Sequence, residues 1–139
     1  MPYVKVMIPA VWGTKYRHPF LTNEIRNIVI AHIKENAKNK KLFIDTLDGY
    51  TDHLHCLFGL NADMSIAKAM QLIKGESAHW INDQKIIRTK FEWADEYYAV
   101  SVSESGLANV RRYINGQEAH HNKVTFAQEY EKFFRAEAR

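Results

Sequence analysis

Leu42-Phe43-Ile44-Asp45-Thr46-Leu47-Asp48-Gly49-Tyr50-Thr51-Asp52-His53-Leu54-His55-Cys56-Leu57-Phe58-Gly59-Leu60 is the stretch that decides the fold. Two largely apolar runs, Leu42 to Leu47 and His53 to Leu60, flank Asp48 to Asp52, a cluster of turn-forming residues. That arrangement predicts two strands closed as a hairpin. Upstream, Tyr3 to Trp12 is rich in β-branched and aromatic residues and reads as a first strand, bent at Pro9, followed by the polar loop Gly13 to Arg17. Thr22 can cap a helix whose apolar positions Ile25, Ile28, Val29 and Ile33 keep helical spacing, with the basic tract Lys34 to Lys41 at its C-terminal end.

Downstream, Asp63 or Ser65 opens a helix with Ile66, Ala69, Met70, Ile73, Trp80 and Ile81 on one side and Lys68, Lys74 and Lys85 on the polar side. Gly75 is expected to interrupt it. The alternation Tyr98 to Ser103 predicts a fourth strand, and Ser103 or Ser105 then caps a helix holding Tyr113. Thr125-Phe126-Ala127-Gln128 has the form of a capping box opening a last helix. The order βαββαβ followed by two helices is α+β. It predicts a ferredoxin-like, RRM-like antiparallel four-stranded sheet with helices on one face, plus C-terminal helices carrying the tyrosine.

At 139 residues and 46% hydrophobic content the chain suits one domain, expected to span 1–139. A formal charge of +3 with a pI near 8.9 permits a polyanionic partner without requiring one. The single cysteine, Cys56, cannot form an internal disulfide, and strand alternation turns it away from the histidines into the core. The start Met-Pro-Tyr-Val-Lys lacks a secretory pattern and no apolar run is long enough to span a membrane, so a cytoplasmic location is expected.

The chemistry sits in two fragments, His53-Leu54-His55 and Tyr113-Ile114-Asn115-Gly116-Gln117. On a strand, His53 and His55 project from one face roughly 6.5 Å apart, close enough to grip one cation. On a helix, Tyr113 and Gln117 share a face about 6 Å apart along the axis, so a hydroxyl nucleophile and a third ligand arrive together. His120 continues along that face and is a rival third ligand. Imidazole with an amide oxygen leaves open positions for water and phosphate oxygens, which suits Mg²⁺ or Mn²⁺ acting on a phosphodiester. Arg111 and Arg112 on the tyrosine helix are candidate phosphate contacts.

Taken with Trp12-Gly13-Thr14-Lys15-Tyr16-Arg17, Leu72-Ile73-Lys74-Gly75-Glu76-Ser77 and Tyr98 to Ser103, these fragments carry a resemblance that runs nearly end to end. The chain resembles the single-tyrosine HUH transposases of the smallest bacterial insertion sequences and their relatives associated with repetitive extragenic palindromes. The resemblance implies that Tyr113 is the nucleophile and that His53, His55 and Gln117 hold a divalent metal. Lys15, Arg17, Lys74 and Ser77 are further candidate DNA contacts. The partner would be single-stranded DNA with hairpin or palindromic ends, handled by a homodimer in which Tyr113 of one chain serves the histidines of the other. Two other readings are a nicking endonuclease of the replication-initiation or relaxase type, sharing paired histidines and a tyrosine, and a non-catalytic nucleic-acid-binding module built on an aromatic-bearing sheet.

Overall fold

A computed structural model describes residues 5–116. In chain order it contains β1 (Val6–Gly13), α1 (Asn23–Asn39), β2 (Phe43–Gly49), β3 (His53–Leu60), α2 (Ile66–Asp83), β4 (Tyr98–Ala99) and α3 (Leu107–Asn115). The strands form one sheet in the order β2-β3-β1-β4, every neighbouring pair antiparallel. This is the ferredoxin-like order expected from the sequence. Gln117, His120 and the capping-box sequence at Thr125 lie outside the described residues.

Alternation sorts the sheet into two faces. Ile8, Ala10 and Trp12 of β1 and Leu54, Cys56 and Phe58 of β3 meet Val29, Ile33 and Ala37 of α1 and Ala69, Met70, Ile73 and Ile81 of α2 in the main core. On the other face Met7 and Leu57 meet Leu107, Val110 and Ile114 of α3 in a second, smaller cluster. Two helices therefore lie behind the sheet and the tyrosine helix lies in front. Ile28, expected in the buried stripe of α1, is exposed.

β1 continues unbroken through Pro9, which pairs with Leu57. The reason is directional: the Pro9 carbonyl accepts from Val100 N at 3.1 Å, and a residue's N–H and C=O point to the same side of a strand. The donor that proline lacks is therefore missing toward β4, and the ladder to β3 is intact. The same geometry shortens β4. Its pairing covers only Tyr98 and Ala99, because the next pair would need an N–H from Pro9.

Thr22 caps α1 by accepting from Ile25 N, and Ser65, not Asp63, caps α2 by accepting from Lys68 N. Gly75 does not interrupt α2. It lies on the exposed side of a helix whose opposite side, Ile73, Ser77 and Ile81, is buried, and that burial offsets a glycine penalty of about 1 kcal/mol. Neither serine caps the tyrosine helix. Ser103 and Ser105 bond to each other through their hydroxyls, and a 3₁₀ turn at Glu104–Gly106 leads into α3 instead.

Candidate active site

β3 begins at His53, immediately after the hairpin turn, and its alternation sends His53, His55 and Leu57 to the face that α3 covers. Both histidines are buried, at 0% and 1% exposure. Their ring centroids lie 5.2 Å apart with planes 79° apart. Gly49 of β2 makes this turn possible, since a Cβ there would sit 2.2 Å from the His53 carbonyl oxygen. Glycine is the residue that lets the two strand ends approach so closely.

α3 delivers the tyrosine. Leu107, Val110 and Ile114 anchor it on Met7 and Leu57, and Tyr113, beside Ile114, is left half-buried at the edge of that contact. Its ring centroid stands 5.6 Å from that of His55, edge to face at 77°. A second tether fixes the helix: Arg111 donates two bonds to Asp45 of β2, Nε to Oδ1 at 2.9 Å and Nη2 to Oδ2 at 2.8 Å. This bidentate pair, chiefly through the hydrogen bond, holds the Asp45 carboxyl below its usual range. The structure thus brings His53, His55 and Tyr113 together within one chain.

Asp52 was given no role on sequence grounds, and it belongs to this cluster. Its Oδ1 accepts from His53 Nδ1 at 2.8 Å and its Oδ2 from Arg17 Nη2 at 2.8 Å. Burial is the largest single influence on this carboxyl and pushes its pKa up, but the bonds and charges of His53 and Arg17 together outweigh it, so Asp52 is held low and ionised. A carboxylate accepting at Nδ1 is the arrangement that leaves the lone pair of a neutral His53 ring on Nε2. Strand alternation hides such a contact between neighbours in sequence. It occurs because Asp52 still belongs to the turn.

The donor set fits a divalent cation. Two imidazoles share one face, and the carboxylate behind one of them is the partner that metal-binding histidines commonly have. Among the described residues no group of three His, Cys, Asp or Glu gathers, and Gln117 and His120 lie outside the described residues. Cys56 takes no part: it is buried in the main core on the opposite face, and burial pushes its thiol far up.

The expected DNA contacts divide differently. Ser77 is wholly buried, donating to Ile73 O at 2.7 Å and accepting from Trp93 Nε1 at 2.9 Å, which removes it from any surface contact. Lys74 donates to the carbonyls of Ala94, Asp95 and Glu96, and burial lowers its pKa. Arg17 and Arg111 serve Asp52 and Asp45. Lys15 pairs with Glu92 at 2.8 Å on the surface. Arg112 is exposed and bonds to Asn109 on its own helix.

Comparison with known proteins settles the family. The model of the IS200-like transposases matches residues 3–117, a span that contains every part of the cluster. The chain belongs to the IS200-like transposase family. It is 26% identical over 113 residues to the ISDra2 transposase TnpA of Deinococcus radiodurans, covering 77% of this chain and 80% of that protein. A crystal structure of a candidate transposase from Deinococcus radiodurans superposes with a TM-score of 0.68 at 26% identity, covering 84% of this chain and 95% of that one. The fold is also shared with a REP-associated tyrosine transposase bound to a REP hairpin, at a TM-score of 0.66 and 16% identity over 89% of this chain and 73% of that one. As an IS200-like transposase, the chain is an enzyme of DNA transposition whose described residues include no helix long and apolar enough to cross a membrane.

Proposed function

We propose that this transposase cuts and rejoins single-stranded DNA, with Tyr113 as the nucleophile and a Mg²⁺ or Mn²⁺ ion held by His53, His55 and Gln117. The observation that carries the reading is the contact of the Tyr113 ring with His55, beside His53, on a buried face. The Tyr113 oxygen attacks the scissile phosphorus. A bond forms from tyrosine oxygen to phosphorus, the bond to the 3′-oxygen breaks, and the phenolic proton is balanced by the proton gained on the released 3′-hydroxyl. The product is a 5′-phosphotyrosine link. One ester replaces another, so the reverse attack by a 3′-hydroxyl rejoins strands without an external energy source.

A phenol with pKa near ~10 is a weak nucleophile at neutral pH. A cation held by His53, His55 and Gln117 would supply charge stabilisation on the phosphate oxygens. The protein holds the phenol at a fixed place: α3 is pinned by its apolar stripe and by Arg111, so little orientation remains to be lost on reaction. A duplex phosphate could not easily reach a small site between a sheet and a helix, which favours a single strand. A hairpin-bound tyrosine transposase shares this fold, and that supports hairpin-ended DNA as the partner.

The test is a denaturing gel of the protein with a labelled single strand from the DNA flanking its gene. The expected result is a covalent adduct in Mn²⁺ that Tyr113→Phe abolishes while hairpin binding is retained, since one oxygen is lost and no packing surface. An adduct formed by Tyr113→Phe would remove Tyr113 from the chemistry. Hairpin binding without any adduct from the parent protein would favour a non-catalytic binding module.

A further inference from the structure

We propose that Asp52, itself held by Arg17, is a positioning residue that fixes His53 in one tautomer, with the proton on Nδ1 and the lone pair on Nε2 directed to metal binding. The inference rests on the reading of His53 as a metal ligand and goes beyond it by naming the residues that prepare the ring.

Two sets of contacts converge on Asp52. Its carboxylate is used at both ends, by His53 Nδ1 and by Arg17 Nη2, each at 2.8 Å. Its backbone is fixed too: the Asp52 carbonyl accepts from Thr14 N at 2.9 Å and from Thr14 Oγ1 at 3.3 Å, while Thr51 O accepts from Leu21 N at 2.8 Å. The loop after β1 is thereby clamped onto the hairpin turn.

The loop itself is held in a costly shape. Tyr16 and Arg17 both have left-handed backbone, at φ 57° and 59°, a conformation that non-glycine residues keep only where surrounding contacts impose it. Lys15 N donates to Glu92 O at 3.0 Å and Arg17 N to Thr14 O at 3.0 Å, contacts that impose it here. Gly13 makes the room: a Cβ there would come within 3.2 Å of Arg17 Cδ and 3.3 Å of Asp52 O. A loop strained to bring one guanidinium against one carboxylate, next to a buried imidazole, has the form of a device that orients the ring.

Orientation matters because an imidazole offers one lone pair and the tautomer decides which nitrogen has it. In water a neutral histidine mixes both. The carboxylate removes that mixture before a cation arrives, and losing such a partner typically costs 10–100-fold in metal affinity.

The decisive experiment reads the tautomer in metal-free full-length protein, by long-range ¹H–¹⁵N correlation of the histidine rings at neutral pH. The parent should show His53 as a single Nδ1–H species, and Asp52→Ala should show a mixture. Mn²⁺ binding followed by electron paramagnetic resonance should weaken about 10–100-fold in Asp52→Ala. Asp52→Asn, which keeps an acceptor oxygen without the charge, and Arg17→Gln should fall between the parent and Asp52→Ala. Should Asp52→Ala fail to fold, as judged by circular dichroism, Asp52→Asn and Arg17→Gln carry the same test. A parent His53 already mixed between tautomers, or variants with parental tautomer and Mn²⁺ affinity, overturns the proposal. If the parent itself binds no Mn²⁺, the metal reading of the site fails, while the tautomer comparison still decides the role of Asp52.

Discussion

At the scale of single residues, the cluster divides into groups set by strand and helix spacing and groups set by the turn. His53, His55 and Tyr113 were legible in the sequence because periods of two and of about 3.6 fix which side chains share a face. Asp52 and Arg17 were not legible: their meeting depends on a loop with left-handed backbone at Tyr16 and Arg17, which no periodicity announces. If both histidines are ligands, His53→Ala and His55→Ala should each abolish metal-dependent cleavage, and Gln117→Ala should weaken it less, because an amide oxygen binds more weakly than imidazole. Cleavage titrated with Mg²⁺ and with Mn²⁺ measures the difference. A greater loss from His120→Ala than from Gln117→Ala would transfer the third position to His120.

At the scale of elements, α3 and α2 are each held by polar tethers laid over apolar contact. For α3 the tether is Asp45 with Arg111, and its sign with pH follows from the depressed Asp45 carboxyl. A carboxyl titrating lower folded than unfolded contributes stability above its unfolded value, near ~3.9, and loses it as pH falls through the folded value. Arg111→Ala should therefore melt below the parent at neutral pH, and the gap should close in acid. Equal gaps at both ends of a melting series would mean that the pair does not set this dependence. For α2 the tethers are Lys74, Ser77 and Asn82, spaced along one side and bonded to the segment from Phe91 to Glu96. Ser77→Ala leaves the buried Trp93 indole without its acceptor, at a cost of about 1–3 kcal/mol in a denaturant melt. This segment was the least legible part of the fold. It has no repeat of its own, and its course is set by partners on α2 and by backbone bonds to Gly13 and Lys15 at the end of β1, neither visible in local sequence.

At the scale of the whole molecule, the question is how one site relates to a second copy. Tyr113 meets His55 of its own chain, yet the sequence resemblance points to a homodimer in which the tyrosine helix serves the partner's histidines. These are compatible, because exchanging an identical element between two copies re-forms its contacts and alters only the connection. The connection here suits exchange: Ser103, Glu104 and Ser105 are exposed, and no side chain caps α3. What would travel is the seat itself, Leu107, Val110 and Ile114 with the Arg111 tether, so Tyr113 would arrive at the partner's His53 and His55 in the arrangement seen within one chain. Cleavage at one DNA end would then depend on a second protomer, limiting unpaired breaks. The expected outcome is complementation: Tyr113→Phe protein mixed with His53→Ala protein, each inactive alone, should regain adduct formation because each heterodimer contains one site with neither lesion. Subunit exchange is checked by differently tagged chains in a pull-down. A mixture that exchanges subunits and stays inactive places Tyr113 and the histidines of each working site on the same chain.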